Sequence, residues 1–185
     1  MTTVAPVTTY RVEEWFTAAD LDTMPDDGNR YELLDGEILV SPSPRVVHQV
    51  VVGQLFLLLS RSLPPGLRLL MAPMDVRFGP KRQLQPDLLV IHDEGLDAVR
   101  VESVPLLVVE VLSRGTRARD LVKKRRAYEQ EGVVSYWIVD PCVPSLLALE
   151  LRNGRYTEVA RAVHDETWTA TEPYEVTVVP AALRR

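Results

Sequence analysis

The segment that decides the fold is PLLVVEVL, Pro105 to Leu112. Seven of its positions are apolar and one, Glu110, is an acid. An extended run apolar on both sides belongs in the middle of a sheet with something packed on each face. A carboxylate there is shielded from water, which costs several kcal/mol or raises its pKa unless a cation or a basic group answers it. Two readings stand evenly: a glutamate paired with an arginine at an exposed strand end, or a ligand for a divalent ion.

Upstream, Asp87 follows Pro86 and opens a second greasy strand, Asp87 to Ile91. Pro-Asp is also common in turns. Two acids on neighbouring core strands can still offer two hard oxygen ligands to one cation. Downstream, Arg117 to Gln130 reads as a helix stopped by Gly132. At 100° per residue Leu121, Lys124 and Tyr128 share a face, so Lys124 points inward with them and needs an anionic partner. Its neighbour Lys123 points outward, to be solvated or to meet phosphate. Two carboxylates and an inward lysine are the parts for metal-assisted phosphodiester hydrolysis.

The other elements build out from this centre. Val12 to Ala19 reads as a short helix, with Thr8 or Thr9 as its cap. Tyr31–Leu34 and Glu37–Val40 flank Asp35-Gly36, a strong hairpin signal. Ser41 to Pro44 breaks the chain. Val46 to Leu63 is a long helix, apolar almost all round, to be buried in a core or at a subunit interface. Leu67 to Phe78 reads as a strand, followed by a polar turn over Gly79–Gln85. Val133 to Val139 is another strand apolar on both sides. The tail, Ser145 to Val179, carries strands with turns at Asn153-Gly154 and Glu172-Pro173. The order gives an α/β (α+β) fold around a central mixed sheet flanked by helices. We expect one domain over 1–185: helix and hairpin in 1–45, core in 46–140, C-terminal strands in 141–185.

Composition narrows the function. The 185 residues are 46% apolar and 25% charged, with a net charge of −5, which excludes a disordered chain and a generally basic nucleic-acid coat. Seven bases and one acid between Arg114 and Arg126 leave +6 there and −11 elsewhere. That stripe is a solvated helix face or a surface for an anionic partner. Cys142 is the only cysteine, so no internal disulfide and no cysteine zinc cluster can form. Met1 to Tyr10 has neither the charge nor the apolar run of a secretory signal, and no run is long enough to span a membrane. We expect a cytoplasmic protein. Phosphate-loop, dinucleotide, His-Glu-x-x-His and Gly-x-Ser-x-Gly motifs are absent. His48, His92 and His164 are too scattered for a histidine metal site. His48 shares a face with Val52, Leu55 and Leu59, which suits a core histidine or one bonded to an active-site acid. Ser113 and Thr116 fit helix caps or a phosphate contact. Tyr136 and Trp137 read as core, and Asp120 as an arginine's partner.

Pro86-Asp87, the Pro105–Ser113 strand, Thr116, Asp120, Lys124, Tyr128 and Gly132 to Asp140 together resemble the Uma-type restriction endonucleases of the PD-(D/E)XK nuclease superfamily. Tyr31 to Glu37, Ser41-Pro42 and His48 add to the likeness, which runs from about Val12 to about Val159. It implies a restriction-endonuclease-like core, Mg²⁺ (with Mn²⁺ as a substitute) on Asp87 and Glu110, and cleavage of nucleic acid, DNA first. The superfamily's lysine two residues after the glutamate would fall on Leu112, which cannot serve. The family's displaced lysine matches Lys124, and Glu32 matches a glutamate that completes the site. Ser135 departs from the family, which usually has glutamate before the Tyr136-Trp137 pair. An inactive nuclease fold that binds nucleic acid or a protein is the rival expectation, and a purely structural dimer is a third. For the state of assembly we expect a homodimer through the Val46–Leu63 helix.

Overall fold

A computed structural model describes residues 15–41, 43–93, 97–113 and 120–185. Thr8, Thr9, Pro42, Thr116 and the arginines at 114, 117 and 119 lie outside them, as do the side chains of Asp120 and Leu121. The first helix, α1, is only Ala18–Leu21. Residues 12–14 of the expected helix lie outside the described ones; the Asp20 carboxylate accepts the Thr17 backbone N–H at 2.6 Å, which makes Thr17 the cap of α1.

The hairpin forms as read. β1 (Arg30–Leu34) and β2 (Glu37–Ser41) pair antiparallel, with Leu34 opposite Glu37. Asp35 and Gly36 both have positive φ, 53° and 85°, the tight turn that matches strand twist. Helix α2 then runs Val46–Arg61.

The expected strand Leu67 to Phe78 is two strands in two sheets. β3 (Leu67–Met71) ends at Ala72-Pro73, where proline has no N–H for the ladder, and β4 (Val76–Arg77) follows. The expected turn over Gly79–Gln85 holds a strand as well, β5 (Arg82–Leu84). β5 pairs with β1 and β4, so the hairpin extends into a four-stranded sheet ordered β2-β1-β5-β4.

The main sheet has six strands: β3, β6 (Leu88–His92), β7 (Leu107–Val111), β8 (Ser135–Asp140), β9 (Ser145–Arg152) and β10 (Arg155–Val163). Its order is β10-β9-β8-β7-β6-β3, with β7 and β8 parallel and every other pair antiparallel. A mixed central sheet of this kind is the architecture read from the sequence. Two short strands, β11 (Trp168–Ala170) and β12 (Val176–Val178), form a separate ribbon before a final 3-10 turn, Pro180–Arg184.

Period-two alternation sorts the strand residues onto two faces. Leu88, Val90, Leu107, Val109 and Val111 pack with α2 and the tail, while Leu89, Ile91, Val108 and Leu112 pack with Tyr128, Tyr136 and the second sheet. The tail covers α2 in part: Val176, Val178 and Leu183 share a core with Val51, Val52, Leu55 and Leu59. Among the described residues the helical segment carrying Lys124 is irregular. Asp120–Lys124 is a π turn, and the regular helix α3 is Arg125–Glu131. Such turns often mark functional positions. Gly132, at φ 84°, ends α3, and the Val133 N–H donates to the Tyr128 carbonyl at 3.0 Å.

Candidate active site

β6 and β7 bring the two acids together. Leu88 is registered opposite Val109, so the next step places Asp87 opposite Glu110. Both then share a face with Leu89 and Val108, not with Leu88 and Val109. Both acids are buried and both line one cavity of about 930 Å³ between the N-terminal segment, α2 and the strand ends.

Behind Glu110 lies Lys124, 0% exposed. Its Nζ donates to Glu110 Oε1 at 2.8 Å and lies 2.8 Å from Glu32 Oε1. Lys124, at the cap of α3, stands four residues before Tyr128, a spacing that sets the two side chains together, and the Tyr128 hydroxyl donates to Glu110 Oε1 at 2.9 Å. The π turn ends at Lys124, so the inward pairing of Lys124 with Tyr128 holds despite that irregularity. Lys123 is 55% exposed and is bonded to Glu37 Oε2 on the hairpin at 2.6 Å.

Glu32, on the centre of β1, reaches the same cluster from the second sheet. Its Oε1 accepts the Gln85 backbone N–H at 2.9 Å, while Oε2 is buried and accepts no hydrogen bond. Burial alone would lift its carboxyl, but Lys124 and Arg30 together hold it below the usual glutamate range. Asp87 is also buried, yet the His48 hydrogen bond, the Arg30 charge and the Val111 N–H hold its pKa below the usual range. Its Oδ2 lies 3.2 Å from His48 Nε2 and 2.7 Å from the Val111 N. His48, buried on its helix face, is therefore bonded to one of the two candidate metal-binding acids. Burial and the adjacent Glu110 raise the Tyr128 hydroxyl well above the usual tyrosine value, which keeps it a donor.

The sequence reading passed over Arg30. It opens β1, two residues before Glu32 and so on the same strand face. Its Nη1 donates to the Gln85 carbonyl at 3.2 Å and to Asp87 Oδ1 at 3.3 Å, and its Nε lies 3.6 Å from Glu32 Oε2. An arginine at a strand start reads as a surface charge. Only its two-residue spacing from Glu32 signalled otherwise. The Tyr128 hydroxyl was likewise hidden inside an apolar helix face.

The donor chemistry suits a hard divalent cation. Glu32, Asp87 and Glu110 carry −3, Lys124 and the partly exposed Arg30 carry +2, and this group of five is left at −1. Among the described residues no three His, Cys, Asp or Glu side chains are already gathered as a ligand set. Two carboxylates completed by water and substrate phosphate are the usual protein share of a magnesium site.

A paired-acid cleft on a mixed sheet, backed by a lysine from the next helix, defines a restriction-endonuclease-like nuclease fold. The Uma2 family, described as "Putative restriction endonuclease", matches residues 18–181, and the chain belongs to it. A solved structure from Anabaena variabilis, titled a putative nuclease belonging to DUF820, has the same fold, with a TM-score of 0.69 and 18% identity over 85% of this chain and 89% of that one. No functionally curated protein matches the sequence.

Proposed function

We propose that the protein is a magnesium-dependent endonuclease that hydrolyses phosphodiester bonds in DNA, with Mn²⁺ as a substitute metal. The observation that carries this is the pairing of Asp87 and Glu110 on one cavity wall, with Lys124 fixed behind Glu110. The family and the nuclease fold agree with it.

Asp87 and Glu110 would hold the metal, which when bound polarises the phosphate and acidifies the attacking water. Lys124 and Tyr128 fix Glu110 Oε1, and so the angle at which its carboxylate faces the cavity. The buried charge of Lys124, held by Glu32, supports the nucleophile and the developing negative charge from behind Glu110. His48 and the Val111 N–H orient Asp87 in the same way. Water adds to phosphorus and one P–O ester bond breaks, leaving a phosphate monoester and a free hydroxyl.

The same reading extends to a homodimer acting on the two strands of a duplex, in the cytoplasm. No helix among the described residues is long and apolar enough to cross a membrane. The direct test incubates purified protein with supercoiled plasmid and Mg²⁺ or Mn²⁺. Cleavage should occur, stop with EDTA, and be absent in Glu110→Ala. Retarded but intact plasmid would favour the inactive binding protein instead.

A further inference from the structure

Five charged side chains meet in the site, and they are fastened very differently. Lys124 is sealed in, with two glutamate oxygens at 2.8 Å. The guanidinium of Arg30 makes only long contacts: 3.2 Å to a carbonyl, 3.3 Å to Asp87, 3.6 Å to Glu32. Its side chain is 23% exposed and lines the same cavity as Asp87 and Glu110. It therefore has a route to solvent that Lys124 lacks. Arg82 shows what a structural arginine looks like in this protein. It binds Asp35, Glu131 Oε1 at 2.5 Å and Gln130 Oε1 at 3.0 Å, clamping the hairpin turn to α3.

Charge explains why a loosely held arginine is there. Three buried carboxylates against Lys124 alone would leave −2 in a low-dielectric site, a costly state. Arg30 brings the cluster to −1. It stands beside Asp87, one of the two acids that would bind metal. A divalent ion arriving with Arg30 still in place meets a half-neutralised site, whereas without Arg30 it meets −2, its own charge reversed.

We propose that Arg30, seated against Asp87 and open to the cavity, is the built-in counter-cation of this carboxylate cluster and gives way toward the cavity when a divalent ion binds. The proposal rests on the metal-binding reading of Asp87 and Glu110. Arg30 is thus a positioning residue that sets how tightly, and at what concentration, metal loads.

The test is Mn²⁺ titration of the purified chain by calorimetry, with melting curves in the presence and absence of Mn²⁺. Arg30→Gln should bind Mn²⁺ about tenfold more tightly than the parent protein, since a like charge has left the site. It should also melt lower without divalent ions and gain more from Mn²⁺ than the parent does. Arg30→Lys, which keeps a cation, should fall between the two, and it carries the test if Arg30→Gln does not fold. Arg82→Gln should lose stability with no gain in Mn²⁺ affinity. Folded Arg30 variants with unchanged or weaker affinity would overturn the proposal, while loss of Mn²⁺ binding in Glu110→Ala would leave the metal reading standing. Absence of Mn²⁺ binding in both the parent and the Arg30 variants would overturn both.

Discussion

At the residue scale, the site rests on two adjacent lysines with opposite fates. Lys124 is buried between Glu32 and Glu110, and Lys123 is exposed on Glu37. Removing one partner of a buried ion pair costs about 3–5 kcal/mol, because the other charge stays buried and unanswered. Lys124→Ala should therefore lower the urea midpoint sharply and abolish plasmid cleavage even at temperatures where it remains folded. Lys123→Ala should move stability by less than about 1 kcal/mol, as exposed pairs do, and should at most make DNA binding weaker and less salt-sensitive. Equal losses from the two changes would refute the assignment. Both lysines were legible because helical spacing separates inward from outward. Glu110 and Asp87 were legible because their polarity contradicts their surroundings. Arg30 was not, because nothing local to a strand's first residue reveals what stands across from it in the next sheet.

At the scale of elements, the hairpin's turn decides whether Glu32 arrives in the site at all. Gly36 has a φ of 85°, and a Cβ built on it would lie 2.9 Å from Cε3 of Trp15. Gly36→Ala would impose both backbone strain and a clash with a packed ring. It should cost about 1–3 kcal/mol in denaturant unfolding, and Gly154→Ala, strained but unobstructed, should cost less. The hairpin could be read because Asp-Gly dictates its own geometry. The split of Leu67–Phe78 could not, because β3 and β4 have similar apolar content and belong to different sheets. β5 escaped notice because Arg82-Gln83-Leu84 is short and polar, and its stability comes from β1 and β4 on either side. A buried hydroxyl adds to the tail's apolar hold on α2: Tyr174 OH donates to the Leu59 carbonyl at 3.0 Å. Burial pushes the Tyr174 pKa up to about 12 from 10.0. Because the folded-state value is the higher one, this contribution is intact below pH 10 and is lost as pH rises toward 12. Tyr174→Phe should cost about 1 kcal/mol at neutral pH through the missing hydrogen bond, and its stability should fall less steeply than the parent's between those pH values.

At the scale of the whole molecule, the question is what covers the rest of α2. The sequence pattern, apolar almost all round, implies cover on every side, and the tail supplies it on one. Val51, Val52, Leu55 and Leu59 are buried beneath the sheet and the tail. Val46 remains 81% exposed and Leu57 52%, with Val50 and Phe56 half-buried between them. Val50, Phe56 and Leu57, with Met71 on the edge strand β3, border a shallow groove ending at Arg184 and Arg185. Gly53 sits at the helix's middle on this side, and a Cβ there would meet nothing within 4 Å. A glycine with open space before it lets a second helix approach closely, and a two-fold axis through that point would lay one α2 against its copy. Sedimentation at micromolar protein should then give a species of twice 20.8 kDa. Leu57→Glu places a charge opposite its own symmetry mate and should return the protein to 20.8 kDa with little loss of monomer stability, because Leu57 is already exposed. Plasmid linearisation in one step should give way to nicking in that variant, since a monomer offers one metal site to two strands. A single 20.8 kDa species of the parent protein at every concentration would show that the tail alone suffices, and that the exposed strip on α2 does not mediate self-association.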